Sequence, residues 1–330
     1  MIWLTWRQFR VQALAAAAAV AAIAIYFVIL GMQLRSSYDS DIAGCGAKDS
    51  CDTAKSFFLE QYETQLTLAS IVLVVAPALI GIFWGAPLIT REVETGTHRL
   101  VWNQSVTRAR WLTVKLLFVG LASTAVIGVL SILLTWAASP YDQVEGARFG
   151  ALAFISRNIA PIGYAVFAFV LATAIGLLTR RTMPAMAITL AVLAVTQVLV
   201  PFVVRPYMQS PVKTTMAMSS DPTKAPSLVL ANGQMSIADF SIPGAWVLDS
   251  RVKLLNSSGK PVTEKMISDC PTRTFSEEVK CMAEKDLHFN VSYQPADRYW
   301  TFQWIELVGY LVLAGLLSLF CLRRIRQPLL

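Results

Sequence analysis

The chain has 330 residues, of which 55% are hydrophobic and 15% charged, with a mean hydropathy of +0.54 and a formal net charge of +7. An average soluble domain carries about 25% charged residues and 45–50% apolar ones, so this composition excludes a soluble globular protein. The basic residues lie beside apolar segments and form no stripe with interleaved aromatic residues, so we expect no nucleic-acid partner.

Residues 1–10 form the first predicted element, a short helix at the membrane interface. Ile2, Trp6 and Phe9 fall on one helical stripe, and Trp with Arg is the usual composition at the headgroup level. The alternative is a plain positive flank to the first span, and the sequence favours neither interpretation.

Six long apolar segments predict an all-α polytopic membrane protein. A helix needs about 20 apolar residues to cross a hydrocarbon core about 30 Å thick, and each segment reaches that length. The first is longer than the core of a signal peptide and lacks a small-residue cleavage site, so we interpret it as a retained helix. The predicted spans are residues 11–34, 64–90, 111–141, 158–179, 182–204 and 299–322.

The second span contains two features that affect helix packing. Gly81 and Gly85 form a small-xxx-small motif, which lets two helix backbones approach closely in lipid and is weak evidence for a dimer face. Pro77 lies in the same span and should kink it, because its ring blocks an internal hydrogen bond.

Lys and Arg alternate between connecting segments and predict the orientation. Cytoplasmic loops hold the excess of these residues in most membrane proteins. Arg180 and Arg181 and the 91–115 segment are basic, whereas the Asp39–Glu63 segment is acidic. Both termini are therefore expected in the cytoplasm, with residues 35–63, 142–157 and 205–298 outside and residues 91–110 and the tail 323–330 inside.

Four of the five cysteines lie in segments that are predicted to be extracytoplasmic. Four cysteines permit three pairings, and disulfides persist in oxidising compartments. Local closure predicts Cys45–Cys51 and Cys270–Cys281, the second within a bridged subdomain at residues 205–298, between the fifth and sixth spans. Neither pair has the spacing of a metal site, so we expect no metal.

Motifs of catalysis are missing from the chain. It contains no phosphate-binding loop and no metalloprotease or serine-hydrolase motif. Its two histidines, His98 and His288, are predicted on opposite sides of the membrane. We therefore expect no enzyme activity and no bound cofactor in this chain, and any ATP and Mg²⁺ must be bound by another polypeptide.

The cytoplasmic segment between the second and third spans is the most informative part of the sequence. Gly96 ends one helical piece, and Thr107 is a good N-cap for the next helix. An exposed Trp beside basic residues is typical of a docking surface, although Trp102 as a lipid anchor is the alternative. The candidate docking residues are Arg91, Glu92, Glu94, Gly96, Thr97 and Trp102.

These features together resemble the membrane subunit of type-2 ABC transporters, the architecture of ABCG-like exporters. The likeness rests on the six spans, on Arg91-Glu92 and Gly96-Thr97 in the loop, and on Lys115. Residues 293–306 resemble the start of the last span in actinobacterial members. The resemblance implies a coupling loop that docks on an ATPase subunit, two ATPase copies, a second permease subunit that forms a homodimer, and a bacterial plasma membrane location.

The predicted function is therefore the permease of an ATP-driven exporter. It would move a lipophilic or amphipathic compound, such as a drug, antibiotic, peptide or lipid, by alternating access. The alternative is a membrane-anchored sensor or interaction protein that binds an extracellular ligand through residues 205–298. A secondary transporter would need several charges within the spans, and only one carboxylate is found there.

That carboxylate, Glu306, follows Gln303 by three positions, so both lie on one face of the sixth span. An ionised carboxylate that faces lipid is costly, so this face should turn toward protein or a water-filled path. The expected partners are Arg298, Arg157 or Gln197. One interpretation is a bond that holds the fifth and sixth spans together, and the other is a gate on the transport pathway.

Overall fold

The computed structural model describes residues 2–45, 50–96, 107–219, 227–231, 233–238, 240–268, 270 and 275–327. The chain divides into two compact units. A helical unit contains residues 1–145, 150–204 and 300–330, and a β unit contains residues 146–149 and 205–299.

The helical unit holds most of the long helices. They are α1 (Ile2–Ser37), α2 (Ser50–Ile80), α3 (Pro87–Glu94), α4 (Arg108–Glu145), α5 (Ala151–Ser156), α6 (Ala160–Thr179) and α7 (Thr182–Leu199). The last long helix, α10 (Tyr299–Arg326), follows the β unit. Within the described residues, six stretches are long and apolar enough to span a membrane, which confirms the predicted number: Leu14–Ile42, Cys51–Glu94, Arg108–Glu145, Ala160–Thr179, Thr182–Tyr207 and Ala296–Arg326.

The helices extend well beyond the apolar segments that predicted them. α1 runs without a break from Ile2 and is followed by a π-helical turn, Tyr38–Ile42, so residues 1–10 are not a separate helix. The predicted outer loop 35–63 is largely helical, because Phe58, Tyr62 and Leu66 recur every four residues and are buried. The predicted helix ends were set where charged residues begin, whereas the stripe of buried residues on α2 continues past that point.

Gly81 and Gly85 bring α2 against α6 within the same chain. They bound a π-helical segment, Gly81–Gly85, that begins four residues after Pro77. A Cβ at Gly85 would lie 2.6 Å from the carbonyl oxygen of Phe169, so only glycine permits this approach. The small-xxx-small motif is therefore used inside the chain, and the suggestion of a dimer face at this motif is wrong.

The β unit departs from the all-α expectation. Its strands are β1 (Val212–Ala217), β2 (Ser227–Ala231), β3 (Gln234–Ala238), β4 (Trp246–Val247), β5 (Arg251–Leu255) and β6 (His288–Gln294), with short helices α8 (Glu264–Ile267) and α9 (Phe275–Glu284) between β5 and β6. The sheet has the antiparallel order β1-β6-β5-β3-β2, and β4 also pairs with β6.

Alternation of buried and exposed residues explains why this segment forms strands. Val252 and Leu254 in β5, and Phe289 and Val291 in β6, are buried at every second position. Residues 146–149, predicted as part of an outer loop, belong to this unit, where Phe149 stacks on Trp246 with ring centroids 6.0 Å apart.

The structure contains the two disulfides that the sequence predicts. Cys45–Cys51 closes the connection between α1 and α2, and Cys270–Cys281 joins α9 to the chain that precedes it. Cross-links of this kind stabilise a fold chiefly by restricting the unfolded chain. Cys321 is buried and free.

Candidate functional site

Three helices meet where α3 ends, α4 begins and α7 begins, and we call this region the basic junction. Glu92 of α3 forms an ion pair with Lys115 of α4, and both side chains are nearly buried, with 12% and 7% exposed. The Lys115 ammonium also lies 4.3 Å from the ring centroid of Trp111. Removing one partner of a buried ion pair leaves the other charge without compensation and costs several kcal/mol. The pair therefore fixes α3 against α4.

Glu94 makes the second polar link of α3, this time to α7. Its carboxylate accepts hydrogen bonds from the backbone N–H of Thr182 at 2.7 Å and from the Thr182 hydroxyl at 2.8 Å. The hydroxyls of Thr182 and Thr90 are 2.7 Å apart, and the Thr90 hydroxyl also donates to the carbonyl of Ala86. Residues of α3 therefore hold the first turn of α7.

The remaining docking candidates divide into exposed and undescribed residues. Arg91 is exposed, and its carbonyl oxygen accepts the backbone N–H of Thr95 at 3.1 Å. Gly96 follows in the left-handed region with φ +70°, as is usual where a helix stops. Thr97 and Trp102 lie outside the described residues. The six candidates thus include two, Glu92 and Glu94, whose carboxylates are used within the chain.

Thr107 begins α4 as predicted. Its hydroxyl accepts the backbone N–H of Arg110 at 3.4 Å, and its carbonyl accepts that of Trp111 at 3.0 Å. The hydroxyl satisfies one of the N–H groups that a helix start leaves without an internal partner.

A second polar cluster lies between α5, α6 and α10. Gln303 is fully buried, accepts the backbone N–H of Ala160 at 2.9 Å and donates to the carbonyl of Phe154 at 3.0 Å. One turn later, Glu306 is 2% exposed and accepts a hydrogen bond from the Tyr164 hydroxyl. The face that carries Gln303 and Glu306 therefore turns toward protein, as predicted.

The partners of Glu306 differ from those predicted. Arg157 forms a buried ion pair with Asp142, and Gln197 donates to the carbonyl of Val74 at 2.9 Å. Arg298, which belongs to the β unit, donates to the carbonyl of Ser210 and to Gln294. Glu306 consequently joins α10 to α6, the fourth span, instead of to the fifth. The phenol of Tyr164 was missed because it lies within an apolar run.

Metal-binding chemistry is sparse in the part of the chain that the structure describes. No three His, Cys, Asp or Glu side chains there come close enough together to hold a metal ion. His288 lies in β6, and His98 falls outside the described residues.

A comparison with known protein families gives a match to the helical unit. A family model described as "ABC-2 membrane transporter related" matches residues 17–205, more than half of the chain. The match extends from α1 through α7 and ends where the β unit continues the chain. No curated protein and no solved structure matches the chain.

Proposed function

We propose a specific transport function from one premise: the chain belongs to the ABC-2 membrane transporter related family and is a multi-pass permease. The proposed protein is the permease of an ATP-driven exporter. Two copies of it pair with each other and with two copies of an ATPase subunit, and alternating access moves a lipophilic or amphipathic compound outward. The usual location for this family is the bacterial plasma membrane.

The basic junction is the observation that carries this proposal. Residues 95–107 connect α3 to α4 at a point where α3 is bound to both α4 and α7. A partner that pushes on this connection therefore acts on two spans at once. Arg91, Arg108, Arg180 and Arg181 flank the junction, and an excess of arginine is typical of the cytoplasmic side, where an ATPase and its ATP would be found.

Docking is best tested at Arg91, whose side chain is exposed, and at Trp102, the aromatic residue that the sequence predicts for the dock. We expect Arg91→Glu and Trp102→Ala to reduce the amount of ATPase subunit that co-purifies from native membranes, because both changes alter the proposed dock. Arg148→Glu, a charge reversal at an exposed arginine of the β unit, is the matched control. Full recovery of an ATPase with the double variant would overturn the assignment, and recovery of no ATPase with the unaltered chain would overturn the proposed function.

The cluster at Glu306 is the proposed site where the pathway opens. The Tyr164–Glu306 bond joins α6 to α10 inside the bundle, and ionisable residues within membrane spans commonly mark transport pathways. Glu306→Gln keeps hydrogen bonding and removes the charge. Lost transport with unchanged unfolding supports the gate, whereas unchanged transport leaves Glu306 a structural role only.

The β unit favours a second candidate, a sensor or interaction protein that binds a ligand outside the cell. The unit has its own core of buried residues and its own disulfide. Deletion of residues 208–296 with a short linker distinguishes the two functions. A permease without this unit still pairs with the ATPase, whereas a sensor without it no longer binds its extracellular ligand.

A further inference from the structure

The two glutamates of α3 point to opposite sides of that helix. Residues of an α-helix are about 100° apart around the axis, so Glu92 and Glu94 are about 200° apart. Glu92 accordingly reaches Lys115 of α4, and Glu94 reaches Thr182 of α7. α3 is thus a two-sided link between spans that are separated by α5 and α6 in the sequence.

Glu94 supplies a helix cap that α7 does not supply itself. The residue at the N-cap position is Arg181, which has extended backbone angles and makes no side-chain capping bond. A helix start leaves N–H groups without internal partners and carries a partial positive charge. The Glu94 carboxylate meets both needs of this helix start, because it accepts the Thr182 N–H and brings a negative charge close to it.

α7 buries little of its surface within the chain. Only 17% of its apolar stretch is buried in the chain, and its buried side chains are Ala185, Thr189 and Leu193 on one narrow stripe. Its far end continues through a π-helical turn, Val200–Val204, into residue 205, where the β unit resumes. The polar contacts with α3 therefore help to position the first turn of α7, together with the two-residue connection to α6 and the buried Ala185.

The two links of α3 differ in how easily they break. The Glu92–Lys115 pair is shielded from solvent, whereas Glu94 is exposed, so water competes for its hydrogen bonds. A movement of α3 thus keeps α4 attached, while its transfer to α7 depends on the exposed Glu94 bonds together with the Thr90–Thr182 contact.

We propose that Glu94 is the positioning residue through which a movement of α3 is passed to α7. This inference rests on the proposed function, since that function supplies the ATP-driven movement of α3. The predicted role of Glu94 as an ATPase contact is thereby replaced by a role inside the permease. Glu94 acts through Thr182 and contacts neither ATP nor a transported compound.

The test uses the full permease with its co-purified ATPase and needs no known transport substrate. A Met183→Cys reporter lies next to Thr182, is 77% exposed in the native residue, and can be labelled with a fluorescent maleimide. The buried Cys321 and the two disulfides are not expected to react. The fluorescence change on addition of Mg-ATP and orthovanadate reports movement of α7, and phosphate release reports ATP hydrolysis.

In the Glu94→Gln variant we expect the fluorescence change to fall at least about twofold while phosphate release stays at the level of the parent, because one charged helix cap is lost. Thr182→Ser keeps both donors and should retain the full change. Glu60→Gln removes an exposed carboxylate from α2 and is the charge-matched control.

Each outcome separates the two proposals. A full fluorescence change in Glu94→Gln, or an equal loss in Glu60→Gln, overturns the link and leaves the proposed function intact. A loss of phosphate release in step with the fluorescence change shows damage to ATPase docking and also overturns the link. No ATP hydrolysis and no fluorescence change with the native residues at positions 94 and 182 overturns the proposed function and the link together.

Discussion

Helices α6 and α7 are neighbours in sequence, yet they differ widely in how much of each is buried within the helical unit. Only Arg180 and Arg181 separate them, and both are apolar enough to span a membrane. In α6, 67% of the apolar stretch is buried within the chain, whereas in α7 the share is 17%. Hydropathy therefore predicts that a helix enters the membrane, and it does not predict where the helix lies.

Small residues account for the central position of α6. A Cβ at Gly163 would lie 3.2 Å from the Cα of Leu307, and one at Gly176 would lie 3.0 Å from the carbonyl oxygen of Ala86. Between helices in lipid there is little hydrophobic driving force, so close backbone packing decides which helices associate. α7 presents Ala185, Thr189 and Leu193 to the bundle and large apolar residues to its surroundings.

The largest effect is expected inside α6. Phe169 is fully buried, and Phe169→Ala leaves a cavity that the packed neighbours cannot refill. We expect the free energy of unfolding to fall by about 3 kcal/mol, as measured by denaturant titration in detergent micelles. A loss below about 1 kcal/mol would mean that lipid or detergent enters the site, and the contrast between the two helices would then be weaker than the structure indicates.

The contact of α6 with Gly85 provides the next test. In Gly85→Ala, the new methyl group meets the Phe169 carbonyl at 2.6 Å and Ala172 at 2.7 Å, so α2 and α6 must separate. We expect a loss of about 2 kcal/mol by the same titration. Gly120→Ala is the matched control, because its Cβ comes no closer than 3.7 Å to Phe169. Equal losses in the two variants would show that the close approach to Phe169 is not the cause, since the higher helix propensity of Ala would by itself stabilise both variants.

A smaller effect is expected from the polar link between α6 and α10. Tyr164→Phe removes the hydroxyl that donates to Glu306 and keeps the ring, which packs 4.7 Å from Tyr310. Hydrogen bonds between helices in membranes contribute about 0.6 kcal/mol on average, so we expect a loss of about that size. A loss several times larger would show that Glu306 depends on this one donor.

The smallest effect is expected on the outer face of α7. Val195 is 62% exposed, and Val195→Ala should change the free energy of unfolding by no more than about 0.5 kcal/mol. A loss comparable to that of Phe169→Ala would reveal a second protein surface on α7, and its dependence on protein concentration would identify that surface as another copy of the chain.

The sequence predicted the number of spans and the two cysteine pairs because each depends on local composition. It placed the helix ends poorly, since Phe58, Tyr62 and Leu66 continue a buried stripe beyond the point where charges begin. It also missed the sheet of residues 205–299, whose strands are short, separated by irregular segments, and alternate over only a few residues.

For the candidate site, the sequence predicted which residues matter better than it predicted what they contact. Glu92, Glu94, Gln303 and Glu306 are all engaged in polar contacts within the helical unit. Their partners, such as Thr182 and Tyr164, come from other helices and carry no local signal. Pairing of this kind depends on the order of helices in the bundle, and that order follows from Gly and Ala contacts that become visible only in three dimensions.

The bond between Tyr164 and Glu306 also sets an order of events during synthesis of the protein. The two residues are 142 positions apart in the chain. At about 5–20 residues per second, a ribosome needs roughly 7 to 30 s to reach the second after making the first. α6 therefore waits in the bilayer, with the groove at Gly163 unfilled, while the β unit is translated. The arrival of α10 completes the centre of the bundle.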